Sequence, residues 1–165
     1  MAEEATIFQR PQIGMETVPG TAVAANRVLQ ATSIMPQINP DMQIFRPQGY
    51  KLPTVVVPGK EWTTAKIEGA LSYNEEPYLL QSLVRSVSSV VNGTGFDWIY
   101  DSNTSGPDTV KTLTVETGSS QRAGKFAYGL VNGLTYKFSR TNVTKSGSML
   151  GQLFTDDVSL SGSPT

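Results

Sequence analysis

Between Lys125 and Gln152 the chain repeats with a period of two, and that period constrains its fold more than any other feature. Phe126, Tyr128 and Leu130 alternate with small or polar residues. Leu134, Tyr136 and Phe138 then alternate with Thr135, Lys137 and Ser139, and Gly147, Met149 and Gly151 alternate with Ser146, Ser148 and Leu150. Successive side chains of a strand point to opposite faces, so this stretch reads as sheet. Asn132-Gly133 and Arg140-Thr141-Asn142 supply turn chemistry, and the spacing predicts a three-stranded meander. Glu61 to Leu71 has the same period: Thr63, Ala65, Ile67 and Leu71 face one way, and Trp62, Lys66 and Glu68 the other.

The rest of the chain is placed around these strands. Arg27 to Met35 reads as a strand, as do Phe96 to Tyr100 and Val110 to Glu116. Leu79, Leu80, Leu83, Val84 and Val87 recur at helical spacing behind Asn74, Glu75, Glu76 and Pro77. This predicts one amphipathic helix over about 75–88, with Asn74 as its cap. From Pro36 to Gly59 come Pro36, Pro40, Pro47, Pro53 and Pro58, which argue against a central strand and predict a long loop over 36–59. That loop is unusually apolar: Ile44, Phe45, Tyr50, Leu52, Val55, Val56 and Val57 have no business in a solvated connection. It therefore either covers its own core or packs on another subunit. The expected division is an N-terminal arm over 1–26, a β domain over 27–155 and a flexible polar tail over 156–165.

Composition excludes much chemistry. The 165 residues include no Cys and no His. Thiolate nucleophiles, disulfides, Cys-ligated zinc and imidazole acid-base catalysis are all absent. Carboxylates remain, but Glu75-Glu76 suits a helix start, Asp156-Asp157 suits a solvated loop, and Asp97 and Asp101 have no partner at metal or acid-base spacing. Gly118-Ser-Ser-Gln-Arg-Ala-Gly124-Lys125 departs from a phosphate loop. It is one residue too long, Phe126 stands where a metal-binding hydroxyl is needed, and it leads into a strand. The reading is of a protein that is not an enzyme, with no catalytic, cofactor or metal residues and no cofactor.

Thirteen basic and fourteen acidic residues leave a net charge of -1, which gives no overall attraction for nucleic acid and little self-repulsion. The bases Arg122, Lys125, Lys137, Arg140 and Lys145 lie in a stretch free of acids between Glu116 and Asp156, while acids predominate between Glu61 and Glu116. Such a two-signed surface suits identical copies that stack head to tail. No signal peptide or apolar run of membrane-spanning length is visible, so a soluble cytoplasmic product with no membrane partner is expected.

Several segments, taken in order, resemble siphophage (long non-contractile tail) major tail tube proteins. They are Ile13-Gly-Met-Glu-Thr-Val-Pro-Gly-Thr-Ala22, Phe45-Arg-Pro-Gln-Gly-Tyr50, Trp62-Thr-Thr-Ala-Lys-Ile-Glu-Gly69, Asn132-Gly133, Phe138-Ser-Arg140 and Ser146-Gly-Ser-Met-Leu-Gly-Gln152. The resemblance implies a mainly β fold, two packed antiparallel sheets forming a β-sandwich or barrel, with one flanking α-helix. It implies six copies per ring, rings stacked into a tube around a tape-measure protein, tail tip and tail terminator proteins at the ends, and transient passage of DNA. The location implied is the virion tail, after synthesis in the bacterial host cytoplasm. Contacts between subunits and rings are implied for the N-terminal segment (Ile13, Val18, Pro19) and the long loop (Ile44, Phe45, Arg46, Tyr50, Leu52, Val55, Val56). Arg122 and Lys125 are the expected charged contacts, and the bases of the meander are expected on the outer or ring-ring surface. The alternative reading is a β-sandwich binding module for a host surface or carbohydrate.

Overall fold

A computed structural model describes residues 9–119, 122–162 and 164. The chain is mainly β, with antiparallel sheets of eight and two strands and one helix among the described residues. The strands of the large sheet are β1 (Arg10–Met15), β2 (Arg27–Val28), β3 (Thr32–Phe45), β4 (Val55–Ala70), β7 (Leu113–Gly118), β8 (Ala123–Phe138), β9 (Val143–Gly151) and β10 (Thr155–Val158). Their order is β2-β1-β7-β8-β9-β4-β3, with β10 also on β8. The helix α1 spans Glu76–Leu83, and β5 (Val90–Asn92) pairs with β6 (Gly95–Asp97) in a separate hairpin.

The large sheet folds over on β8. The first part of that strand pairs with β7 and β10, and the second part with β9. Two register shifts, one near Ala127-Tyr128 and one at Asn132, bend it between the two duties. Tyr128 has φ 56°, the left-handed conformation of a bulge residue. The core lies between the two halves: Ile13, Leu113 and Val115 come from one side, Ile34, Ala65, Ile67 and Met149 from the other, and Phe126 and Val131 from β8 itself. Leu79 of α1 is fully buried in the same cluster.

Several sequence expectations change here. Asn132-Gly133 makes no hairpin: β8 continues through it with a bulge, so the meander is a single hairpin, β8–β9, closed by Ser139–Asn142. The bulge also breaks the alternation, burying Phe126 and Val131 while Tyr128 is exposed. The segment 36–59 is not a loop, because β3 and β4 extend through most of it as a paired ladder. Pro36 and Pro40 are tolerated because residues four apart share one side of a strand, and β3 is the last strand of the sheet, with an open side to give them. Pro58 lies beyond the part of β4 that pairs with β9, so it too faces only one neighbour.

The expected N-terminal arm is divided. Residues 1–8 lie outside those described, while 10–15 form β1, paired on both sides by β2 and β7. Of the tail expected over 156–165, residues 163 and 165 lie outside those described, and the part up to Ser161 is held. Thr155 and Val158 pair with Lys125 and Ala123, and Ser161 gives Glu116 two hydrogen bonds, from N at 2.8 Å and from Oγ at 2.7 Å. The helix is shorter than its periodicity suggests. After Val84 the backbone turns to the segment before β7, where Ser86 N donates to Thr109 O and Lys111 N donates to Gln81 O. Asn74 does not cap it; Glu75 occupies that position without a side-chain capping bond. Of the strand expected over 96–100, only Phe96 and Asp97 are in a ladder.

Candidate functional site

The β3–β4 pair begins as core and ends as an arm. In the inner part Ile34 opposes Ile67 and Pro36 opposes Ala65, and this face carries the core. Directly opposed residues share a face, and every second residue returns to it. Following β3 outward gives Ile38, Pro40, Met42 and Ile44. On β4 the register shift opposite Asp41 brings Pro58 against Met42 and Val56 against Ile44. The core-facing apolar stripe therefore continues, in register, past the point where the core ends.

Beyond that point the arm is apolar on both faces and lies open. Phe45 opposes Val55 and Val57 opposes Gln43 on the second face. Exposure of these large side chains runs from 40% at Val55 to 69% at Ile44 and Leu52. At the tip, Tyr50 N donates to Pro47 O, and Gly49 with φ 86° makes the turn. An isolated two-stranded ribbon is marginally stable in water, and this one leaves its apolar residues wet. Residues 42–59 carry two bases, Arg46 and Lys51, and no acid.

The expected contact residues thus fall into four groups. Ile44, Phe45, Arg46, Tyr50, Leu52, Val55 and Val56 come together on the arm. Val18 and Pro19 are exposed on the loop after β1, which is pinned by Glu16. Ile13 is corrected: at 1% exposure in a strand paired on both sides, it is a core residue. Arg122 and Lys125 sit where β7 passes into β8. Arg122 pairs with the Asp156 carboxylate, and its hydrogen bond holds that carboxyl below its ordinary range. Lys125 opposes Glu116 and Thr155 in the ladders. Lys145, expected on the outer surface, is buried and bonded to Glu76 at 2.9 Å.

Sequence reasoning passed over a second exposed apolar region. The β5–β6 hairpin and the residues after it expose Val90, Val91, Phe96 and Ile99, with Tyr73 alongside in the lining of the neighbouring cleft. The signal was Val90-Val91 close to Phe96 and Ile99, in a segment with no long alternation to mark it. The cleft, about 680 Å³ in volume, is lined by Arg27, Tyr73, Tyr78, Phe96 and Trp98, and Arg27 lies 5.7 Å above the Tyr78 ring. Glu75 also reaches it, but its carboxylate accepts from Gln30 N, Ala31 N and Thr32 Oγ1.

Among the described residues four carboxylates are buried and hold the scaffold: Glu116, bound by Ser161 as above, and Glu16, Glu75 and Glu76. Glu16 accepts from Gly20 N (2.7 Å), Thr112 Oγ1 (2.7 Å), Thr114 Oγ1 (2.9 Å) and Tyr128 N (2.9 Å). Glu75 fixes the bend between β2 and β3. Glu76 binds Lys145 and the Tyr136 hydroxyl, whose pKa is raised chiefly by burial and then by this hydrogen bond. Each has structural partners for its oxygens. Among the described residues no group of three or more Asp or Glu could hold a metal ion, and no helix is long and apolar enough to cross a membrane. No protein-family model matches the chain, and no curated protein matches it significantly.

Proposed function

We propose that this chain is the major tail tube subunit of a siphophage, a structural protein of the virion tail with no enzymatic role. Copies assemble into rings, of six by the resemblance, and the rings stack into the tube that conducts DNA. One observation carries the reading: a two-stranded arm whose apolar stripe continues the core face out into water. A stripe of this kind is satisfied by a second surface, and a self-assembling subunit supplies that surface in every neighbour. An eight-stranded sheet with β3 as an open edge suits the same end, since edges are liabilities unless they are paired. Partners on this reading are other copies of the chain, a tape-measure protein in the lumen, and tail tip and terminator proteins.

Negative-stain electron microscopy of the purified protein at rising concentration tests it. Hollow tubes or sixfold rings are expected. Monomers that also fail to extend from an added tail tip complex overturn it.

The aromatic cleft favours a second reading, a β-sandwich module that binds a carbohydrate or host surface. Exposed Tyr73, with Trp98 beside Gln30 and Asn74, offers ring faces and amides of the kind sugars use. A glycan array separates the two: specific glycan binding by a monomer that never assembles favours the module.

A further inference from the structure

The arm requires a counter-surface. Ile44, Phe45, Val56 and their neighbours are exposed, so among the described residues nothing in the same chain covers them. The β5–β6 end of the domain has the same unmet need, with Val90 at 59%, Val91 at 70% and Phe96 at 65% exposure.

Charge matches the two surfaces. From 42 to 59 the chain holds Arg46 and Lys51 and no acid, with Asp41 at the base of the arm beside Gly59; from 86 to 107 it holds Asp97 and Asp101 and no base, with Arg27 in the neighbouring cleft over the Tyr78 ring. Arg85, the nearest base to the second stretch, lies 3.8 Å from Asp108 and donates to the Asp101 carbonyl, so it does not directly neutralise either carboxylate of that stretch. Asp97 accepts from Asn92 within its own hairpin and is exposed, as is Asp101.

We infer that the arm of one copy docks on the β5–β6 end of a second copy, apolar face to apolar face, with Arg46 and Lys51 meeting Asp97 and Asp101. This rests on the self-assembly reading above and adds the acceptor surface. Exposed charge pairs contribute little binding energy, so burial of the two apolar surfaces drives the contact and the charges set its orientation. Donor and acceptor are different patches of one chain. Where each arm enters the acceptor of a further copy rather than two copies exchanging arms, the contact is heterologous: the end copies of an array keep a free arm or a free acceptor, and the array grows until it closes.

The test replaces Tyr50 with p-benzoylphenylalanine and illuminates a mixture of isotopically heavy and light chains. Heavy–light cross-links are expected to fall within residues 90–101. Oligomers whose cross-links fall elsewhere overturn the docking site and leave self-assembly standing. Absence of any oligomer at every concentration, with or without a tail tip complex, overturns both.

Charge reversal gives a second measurement. R46E/K51E and D97K/D101K each set like charges against each other, and each alone is expected to lower cross-link yield at least tenfold. Mixed in equal amounts, the two variants present opposite charges at every contact, and the yield is expected to return. If neither variant changes the yield, or if the mixture stays unassembled, the pairing of these four residues is wrong.

Discussion

Lys145 Nζ lies 2.9 Å from Glu76 Oε2, joining the middle of β9 to the first turn of the helix across 69 positions of sequence. The lysine side chain is wholly inaccessible to solvent, and the glutamate nearly so. The other oxygen of Glu76 accepts from the Tyr136 hydroxyl, so one carboxylate ties α1 to both strands of the β8–β9 hairpin. Burial of an ion pair costs both charges their water, and the pair persists because geometry and the extra hydrogen bond offset that loss.

Removing one partner leaves the other charge buried and alone. Lys145→Met is expected to destabilise the fold by ~3–5 kcal/mol in urea unfolding. Adding Glu76→Gln to it recovers part of the loss, because the stranded charge is gone. If the double variant is less stable than the single one, the ion pair is not the reason Lys145 matters.

Glu16 holds the loop after β1 by four hydrogen bonds to donors from three separate parts of the chain. Glu16→Gln keeps the size but turns an NH2 toward groups that are themselves donors. A loss of ~2–3 kcal/mol is expected, together with faster proteolysis within residues 17–22. Unchanged unfolding midpoints argue against this account.

Gly69 sits where β4 passes the bend at Ala31. A methyl group there would lie 2.0 Å from the Ala31 carbonyl oxygen, an atom of the backbone that cannot swing away. Gly69→Ala is expected to cost at least ~2 kcal/mol by overpacking. Gly49→Ala, at a tip with open space around it, strains only its own positive φ. It should cost about 1 kcal/mol. Thermal unfolding of the two variants side by side checks the ranking.

The arm separates folding from assembly. Ile44→Asp with Val56→Asp changes two exposed, opposed residues that pack on no core. Unfolding free energy is expected to shift by no more than ~0.5 kcal/mol per site. Sedimentation of the same variant is expected to show monomers at concentrations where the parent chain assembles. Loss of folding along with assembly places these residues in the domain's own stability instead.

Tyr100, partly buried and near Glu76, has its hydroxyl pushed up to about 12, chiefly by burial and then by that carboxylate. Its folded pKa exceeds the unfolded value near 10. Its stabilising contribution is therefore complete below pH 10 and is lost as pH rises toward 12, because the unfolded chain releases the proton first. Stability measured by urea from pH 9 to 12 is expected to fall, and to fall less steeply in Tyr100→Phe.

Much of this fold could be read in local pattern, because strand period is a property of a few successive residues. The face made by Thr63, Ala65 and Ile67 is buried and Trp62 and Lys66 lie opposite, as alternation requires. Leu79 and Leu83 place the helix for the same reason, while the apolar residues from Ile44 to Val57 fit equally a segment that covers its own core and one that packs on another subunit. What depended on partners far along the chain could not be read this way. Two Asn-Gly dipeptides show the difference. Asn92-Gly93 opens a tight turn between β5 and β6, where Gly93 takes φ 62°, while Asn132-Gly133 only bulges a continuous strand. A turn preference is local and small; pairing the later part of β8 along β9, and burying Val131, outweighs it. Pro36 and Pro40 likewise forbid a central strand but not an edge, and only the order of the strands places β3 at an edge. The burial of Lys145 depends on a glutamate 69 residues away, and that of Ile13 on strands from the other end of the domain. Period and composition determined that the chain is β-rich with one helix and an apolar segment rich in proline. Which strands are central, which charges are buried and which apolar residues remain outside were settled by long-range pairing, whose energy no local window of sequence contains.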